Sequence, residues 1–281
     1  MKTLQLQDAI DILTGCTLLG TGGGGRLSDG IKMIEADFKQ GKPLKLISLD
    51  EIPDDGMIAT PYGCGAPPEE GATQFGESIV IPEVVDDLRA EDIVRSIAVV
   101  SGDLVGVADH PMRGRDFKSS VIPNAISQAW EIGTTIRQAQ ETGETQIPSL
   151  LANQFNGKIA FHGEMTETPW SCTGGFNIGE IHLKGVEEFQ GESYRIWMKN
   201  ENIVGYRNGI VDASVPDLLC MIDHEGNPLT NPDWVIGNTI TLLVLPAPTI
   251  WTTPRGLELL GPHSFGLDFD YTLCSLHGHN R

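Results

Sequence analysis

A run of glycines between two helical segments is the feature that most constrains this fold. Residues 20–25 read Gly-Thr-Gly-Gly-Gly-Gly and separate one amphipathic segment, Leu6–Leu19, from another, Leu27–Gln40. Ordering consecutive glycines costs backbone entropy, so a compact protein keeps such a run where the chain needs positive φ or a close approach to another group. The sequence therefore predicts a helical hairpin that presents a glycine-rich loop.

This loop is a candidate ligand site because its N–H groups adjoin the amino end of the second helix. Unpaired N–H groups and the helix dipole at such an end favour an anion or a carbonyl oxygen. The alternatives are a flexible connector and a tight helix–helix crossing. The residues that we predict to bind ligand are Thr21, Gly22, Gly23, Gly24, Gly25 and Arg26, the last adding a fixed charge.

The loop does not match the common nucleotide-binding motifs. No Gly-Lys-Ser/Thr follows it, and a helix precedes it, whereas a strand precedes both the P-loop and the dinucleotide-binding turn. The 281-residue chain has 38 acidic and 19 basic side chains, a formal net charge of −19. This charge argues against nucleic acid or an anionic membrane surface as a partner, so we expect a small-molecule ligand.

Cysteine usage and the amino end indicate a cytoplasmic protein. The five cysteines are odd in number, widely spaced and without a C-x-x-C pair, so they signal neither a disulfide framework nor a zinc site. The first residues lack the apolar core of a signal peptide. The longest apolar stretch, Ile240–Ile250, is too short to cross a membrane and contains two prolines.

Hydrophobic periodicity divides the chain into two parts. Before residue 147, helical segments such as Asn124–Glu141 alternate with short strands at Leu44–Leu49 and Met57–Thr60. We predict an α/β (or α+β) amino-terminal domain over residues 1–146 and a β-rich carboxy-terminal domain, a sandwich or barrel, over residues 147–281. The strands expected in the second domain are Lys158–His162, Phe176–Leu183, Tyr194–Lys199, Gly209–Val215, Leu218–Asp223 and Thr239–Leu245.

Two polar segments carry candidate catalytic or substrate-holding groups. Asp109 and His110 follow a predicted strand, and they form either an acid–base pair or an ion-pair cluster with nearby arginines. Asn200, Glu201 and Asn202 lie between two strands, where amide and carboxylate groups hold a substrate or simply make a turn.

Cysteine and histidine supply two further candidates. Cys64 lies beside Gly65 in a small-residue loop that leaves a thiol open as a nucleophile, although an unreactive buried cysteine is the alternative. His277 and His279 are close enough to share a metal ion, or they are solvated near the end of the chain. We assign no cofactor, and a divalent metal stays an open alternative.

The order of short motifs along the chain resembles that of the S-methyl-thiohydantoin desulfurase-like proteins, a family associated with hydantoinase/oxoprolinase-type enzymes. The motifs span nearly the whole chain in family order, and together they are more specific than any one alone. They are Leu19–Gly25, Ile47–Asp55, Gly65–Pro67, Thr173–Phe176, Lys199–Asn202, Val215–Leu218 and Gly261–Gly266.

The resemblance implies a hydrolase-like enzyme for a small cyclic amide or thioamide, of the hydantoin or S-methyl thiohydantoin type, bound between the two domains. In outline, the N–H groups of residues 22–25 would stabilise the oxyanion that forms when water attacks the ring carbon. The base that activates the water is open among four residues: Asp109, His110, Glu201 and Asp217.

One departure from the family pattern bears on activity. Family members carry a long polar insert after the Gly-Ala-Pro motif, and here the short segment Gly71–Glu77 stands in its place. Either the chain is a shortened or catalytically altered member, or the sequence lacks a segment of the native protein. The short segment favours one alternative to a self-sufficient enzyme, a non-catalytic accessory subunit with a hydantoinase-type partner. A second alternative is a metal-dependent hydrolase that uses the histidines of the second half. Whether the chain forms a homo-oligomer is left open by the sequence.

Overall fold

Two helices separated by the glycine run begin the fold, as the periodicity predicts. The structure is a computed structural model that describes residues 2–23, 26–58, 112–113, 125–173, 176–199, 202–214 and 217–246. The helices are α1 (Leu6–Leu19), α2 (Leu27–Lys39), α3 (Ala125–Thr142) and α4 (Ile147–Gln154). The strands are β1 (Lys2–Thr3), β2 (Lys45–Leu46), β3 (Met57–Ile58), β4 (Met112–Arg113), β5 (Lys158–Glu167), β6 (Trp170–Thr173), β7 (Phe176–Gly185), β8 (Ser193–Lys199), β9 (Asn202–Arg207), β10 (Ile210–Ser214), β11 (Leu218–Ile222) and β12 (Thr239–Leu245).

Helices α1 and α3 cross so closely that their backbones touch. Gly15 of α1 lies against the carbonyl group of Ala129, and Gly133 of α3 lies against the carbonyl group of Asp11. A Cβ atom at either glycine would overlap the facing backbone. Only glycine therefore permits this crossing without a shift of one helix.

A buried carboxylate fixes the register of the crossing. Asp11 is only 3% exposed, and Arg137 of α3 donates to it from Nε at 2.9 Å and from Nη2 at 3.0 Å. Gln7 and Thr134 donate to the same carboxylate. Burial raises the pKa of Asp11, but the hydrogen bonds from Arg137, Gln7 and Thr134 together outweigh burial and hold that pKa below its usual range.

Eight strands of the described chain form one antiparallel sheet in the order β10-β9-β8-β7-β5-β12-β11, with β6 paired to β7. The sheet curls until its two end strands, β10 and β11, contact each other. Its concave face is apolar, and Phe161 packs there with its ring centroid 5.0 Å from that of Phe189 and 5.2 Å from that of Tyr194. This curled sheet confirms the β-rich carboxy-terminal part.

A second core joins the helices to the outer face of β11 and β12. Leu18 of α1, Ile132 of α3 and Leu151 of α4 pack there against Cys220 and Leu243. The fold is therefore a helical amino-terminal region followed by a curled antiparallel sheet, as expected from the sequence. The division at residue 147 stays a prediction.

Two local predictions need correction. Residues 147–154 are the helix α4 and not the start of a run of strands, since Pro148 occupies the first turn and Ile147 and Leu151 bury one face. In the predicted strand Leu44–Leu49, only Lys45–Leu46 pairs, with β1. Across the described ranges, no helix combines the length and the apolar character needed to cross a membrane.

Candidate functional site

The first part of the glycine-rich loop closes the carboxyl end of α1. Thr21 and Gly22 have positive φ, 51° and 96°. Gly20 N–H donates to the carbonyl oxygen of Cys16 at 2.8 Å, and Gly23 N–H donates to that of Gly20 at 2.9 Å. The first bond closes the last turn of α1 and the second closes a turn directly after it, so the N–H group of Gly23, which we predicted to bind ligand, already has a backbone acceptor.

The same loop packs against the carboxy-terminal part of the chain. The carbonyl oxygen of Gly22 accepts a hydrogen bond from Asn231 N–H at 2.9 Å, in the short 3₁₀ helix Asn231–Asp233. A Cβ atom at Gly22 would overlap the indole ring of Trp234 and approach the methyl group of Met221. The loop and the curled sheet therefore meet, whereas the ligand role of the loop stays a prediction.

The other predicted site residues are only partly within the described ranges. Arg26 is exposed at the start of α2, Asp217 is exposed before β11, and Asn202 opens β9 opposite Lys199. Their roles stay predictions. The predicted residues that lie outside the described ranges are Gly24, Gly25, Cys64, Gly65, Asp109, His110, Asn200 and Glu201.

A groove on the outer face of β7, β8 and β9 is lined by acid–base side chains that we did not predict from the sequence. Its volume is about 410 Å³. Side chains alternate along β7, so Ile181 and Leu183 enter the apolar core while His182 lies on the opposite face. In register, His182 pairs with Arg195, and Arg195 pairs with Tyr206. All three of these side chains line the groove.

Glu180, two residues before His182 on β7, connects the basic groups of the groove. Its carboxylate is fully buried and lies with Oε2 2.7 Å from His182 Nε2 and Oε1 3.3 Å from Arg195 Nη1. His182 Nδ1 lies 3.9 Å from Oε2 of Glu167, so the ring stands between two carboxylates. A histidine that is oriented by a buried carboxylate and is 27% exposed is equipped for proton transfer.

Two further contacts set the charge of the groove. The guanidinium of Arg195 lies 4.3 Å from the ring centroid of Tyr206, which orients its charge. Glu192 is bound by Arg207 through two bonds, of 2.6 and 2.8 Å. The hydrogen bonds from Arg207 hold the pKa of Glu192 below its usual range. The charge of Glu192 is thus already neutralised.

Two family models match successive parts of the chain. The model for the S-Me-THD-like N-terminal domain matches residues 7–106, and the model for the S-Me-THD-like C-terminal domain matches residues 85–274. The chain belongs to the S-Me-THD-like family. This membership confirms the resemblance drawn from the motifs. Comparison of this S-Me-THD-like chain with curated proteins and with solved structures gave no match.

A second cluster of this S-Me-THD-like protein has the donor types of a metal site. His162 of β5, together with Glu187 and Glu188 of the short 3₁₀ helix that follows β7, places three ligand atoms within 4.8 Å of one another. His162 Nδ1 lies 3.4 Å from Oε2 of Glu187. Imidazole nitrogen with carboxylate oxygen suits zinc or manganese. His277 and His279, which the sequence suggested as a metal pair, lie outside the described ranges.

Proposed function

We propose that this protein is a hydrolase-like enzyme for a small cyclic amide or thioamide of the hydantoin or S-methyl thiohydantoin type. Family membership supports the ring class. The observation that carries the hydrolytic chemistry is the 2.7 Å contact between the buried Glu180 carboxylate and His182 at the wall of the groove. A buried carboxylate that orients a histidine is a recurrent device for general acid–base catalysis.

In the proposed reaction, Glu180 positions the imidazole and His182 takes a proton from a water molecule as that water attacks the ring carbon. With an S-methyl thiohydantoin, the water oxygen bonds to the carbon that carries sulfur and the C–S bond breaks. His182 returns its proton to the departing thiolate, and the second proton of the water passes from the attacking oxygen to the ring nitrogen as the carbonyl group forms. The products are methanethiol and a ring that carries a carbonyl group.

Two donor sets are candidates for stabilising the negative charge that develops on the ring. One is the guanidinium of Arg195, which lines the same groove as His182. The other is the set of N–H groups in residues 22–25 that we predicted from the sequence, apart from that of Gly23, which donates to the carbonyl oxygen of Gly20. Preorganised donors of either kind contribute through electrostatic stabilisation of the transition state.

The test is turnover of a panel of hydantoins and S-methyl thiohydantoins by the purified chain, followed as ring opening and as released methanethiol. We expect Glu180→Gln and His182→Gln each to lower kcat/KM by about 100-fold or more, which is the scale of general acid–base catalysis. His224→Gln, at an exposed turn, is the matched control and should leave kcat/KM unchanged. If both groove variants keep the kcat/KM of the wild type, His182 has no part in the mechanism. If the wild type turns over none of the panel, the proposed substrate class is wrong.

The cluster of His162, Glu187 and Glu188 favours a second candidate, a metal-dependent hydrolase. This alternative requires about one equivalent of a divalent metal in the active protein, measured by elemental analysis. His162→Gln should then remove both the metal and the turnover, while His224→Gln should remove neither. Full activity in a metal-free preparation would exclude this second candidate.

A further inference from the structure

We propose that the groove on β7, β8 and β9 selects ring substrates that carry a carboxylate substituent. This inference rests on the proposed function and adds a substrate class to it. It follows from how charges are arranged on the wall of the groove, where basic side chains face the cavity and the lining carboxylate, Glu192, is bound by Arg207.

The basic side chains share one face because of strand geometry. His182 and Lys184 are two residues apart on β7, so their side chains leave the same face of the sheet roughly 7 Å apart. Arg195 lies directly opposite His182 on β8. All three line the groove, so a small ligand there meets basic groups from two neighbouring strands.

Two of these basic side chains, Lys184 and Arg195, have capacity for a further anion. Lys184 is exposed, and within the described parts of the chain no carboxylate forms an ion pair with it. Of the five N–H donors of a guanidinium, the contacts described for Arg195 use only the one from Nη1 to Glu180. A planar guanidinium edge beside an ammonium group matches the two oxygens of a carboxylate.

The carboxylate that lines the cavity does not cancel this charge. Glu192 is the one carboxylate among the described residues that line the cavity, and it is bound by Arg207 and by Asn208. Glu180 is fully buried behind His182 and Arg195 and does not line the cavity. Glu167, near His182, and Glu164, opposite Lys184 on β5, are exposed beside the groove but do not line it, so an anion inside the cavity meets Lys184 and Arg195 first.

The basic side chains of the groove contrast with the net charge of the whole chain. The whole chain carries a formal charge of −19, so its general field repels anions rather than collecting them. A basic groove in such a protein is a local exception. Its volume of about 410 Å³ lies in the range of small-molecule sites.

The experiment compares matched ligands, each a hydantoin that carries a side-chain carboxylate or the neutral amide of the same length. Binding to the full chain is measured by calorimetry, separately from turnover. We expect the acid to bind about tenfold more tightly than the amide, the effect of one charge-assisted hydrogen bond. Lys184→Gln should weaken binding of the acid by about tenfold and leave binding of the amide unchanged.

Lys158→Gln is the matched control, because Lys158 is also an exposed lysine of the same sheet but pairs with Asp212. It should change neither affinity. Lys184→Glu should reverse the preference between acid and amide. Equal binding of the two ligands by the wild type, or no binding of either, overturns the proposal, and so does a preference that survives Lys184→Gln.

Binding and turnover separate the two proposals. Acid-selective binding that depends on Lys184, without turnover of any ring, supports the charge selection and contradicts the hydrolytic function. Turnover that depends on His182 but shows no preference for the acid contradicts the charge selection and supports the hydrolytic function.

Discussion

At the scale of single residues, the buried pair of Asp11 and Arg137 makes the clearest energetic prediction. Arg137→Met should lower the free energy of unfolding by about 3 kcal/mol, because it leaves the Asp11 carboxylate buried without its cation. Urea denaturation at pH 7 measures this loss. Lys39→Met is the control, since Lys39 pairs with Glu35 in the exposed helix α2 and should change stability by less than about 1 kcal/mol.

The same pair predicts a pH dependence. The folded-state pKa of Asp11 lies below its ordinary value, so the pair stabilises the fold fully at neutral pH. That contribution begins to fall near the ordinary aspartate pKa of about 3.9 and is lost as the pH drops through the folded-state value. Arg137→Met should therefore flatten the acid limb of the stability curve. An unchanged acid limb would contradict the assignment.

Gly22 is the loop residue that contacts the carboxy-terminal part of the chain directly after α1. Gly22→Ala should cost about 2–4 kcal/mol, because alanine is strained at a φ of 96° and its Cβ atom would displace Trp234. Tryptophan fluorescence and thermal unfolding report both effects. Gly23→Ala is the neighbouring control and should cost about 1 kcal/mol or less, since φ is not positive there. Equal losses in the two variants would show that the contact with Trp234 is unimportant.

At the scale of elements, the crossing of α1 and α3 reverses the usual effect of a helical glycine. In an isolated helix, Gly133→Ala would stabilise by up to about 1 kcal/mol. Here it should destabilise by about 3 kcal/mol, because the new Cβ atom overlaps the backbone of Asp11 and the helices must separate. Chemical denaturation decides between the two signs. Gln138→Ala, exposed on α3, should stay within about 0.5 kcal/mol of the wild type.

Elements with a long periodic pattern were predictable, and short or pairing-dependent ones were not. The bounds of α1 and of β12 agree with the prediction, because α1 is long enough for its helical period to stand out and β12 is a nearly continuous apolar run that is buried on both faces. Helix α4 has only eight residues, too few for its period to stand out from the strands that follow. The groove could be predicted only in part from the sequence. Glu180 and His182 are two residues apart in a predicted strand, which places both side chains on one face of the sheet. Arg195 becomes their neighbour only through the pairing register of β7 and β8, which the sequence does not show.

At the scale of the whole molecule, the second core predicts that the helices and the sheet unfold together. Leu18→Ala should cost about 3 kcal/mol, because Leu18 of α1 is buried where α3, α4 and the outer face of β11 and β12 meet. Unfolding followed by far-ultraviolet circular dichroism and by tryptophan fluorescence should give coincident transitions. Ile210→Ala, at a side chain 74% exposed, is the control and should have little effect. Two separate transitions would contradict a shared core.

The amino-acid sequence by itself determined the helical hairpin, the curled β-rich part in outline and the family, because periodicity and ordered motifs are local properties of the chain. Tertiary structure alone decided which distant groups meet. Asp11 and Arg137 are 126 residues apart, and Gly22 contacts a segment more than two hundred positions further along, at Asn231. Such pairs depend on helix crossing and strand register, which are set by the packing of the whole core and leave no periodic signal near either residue.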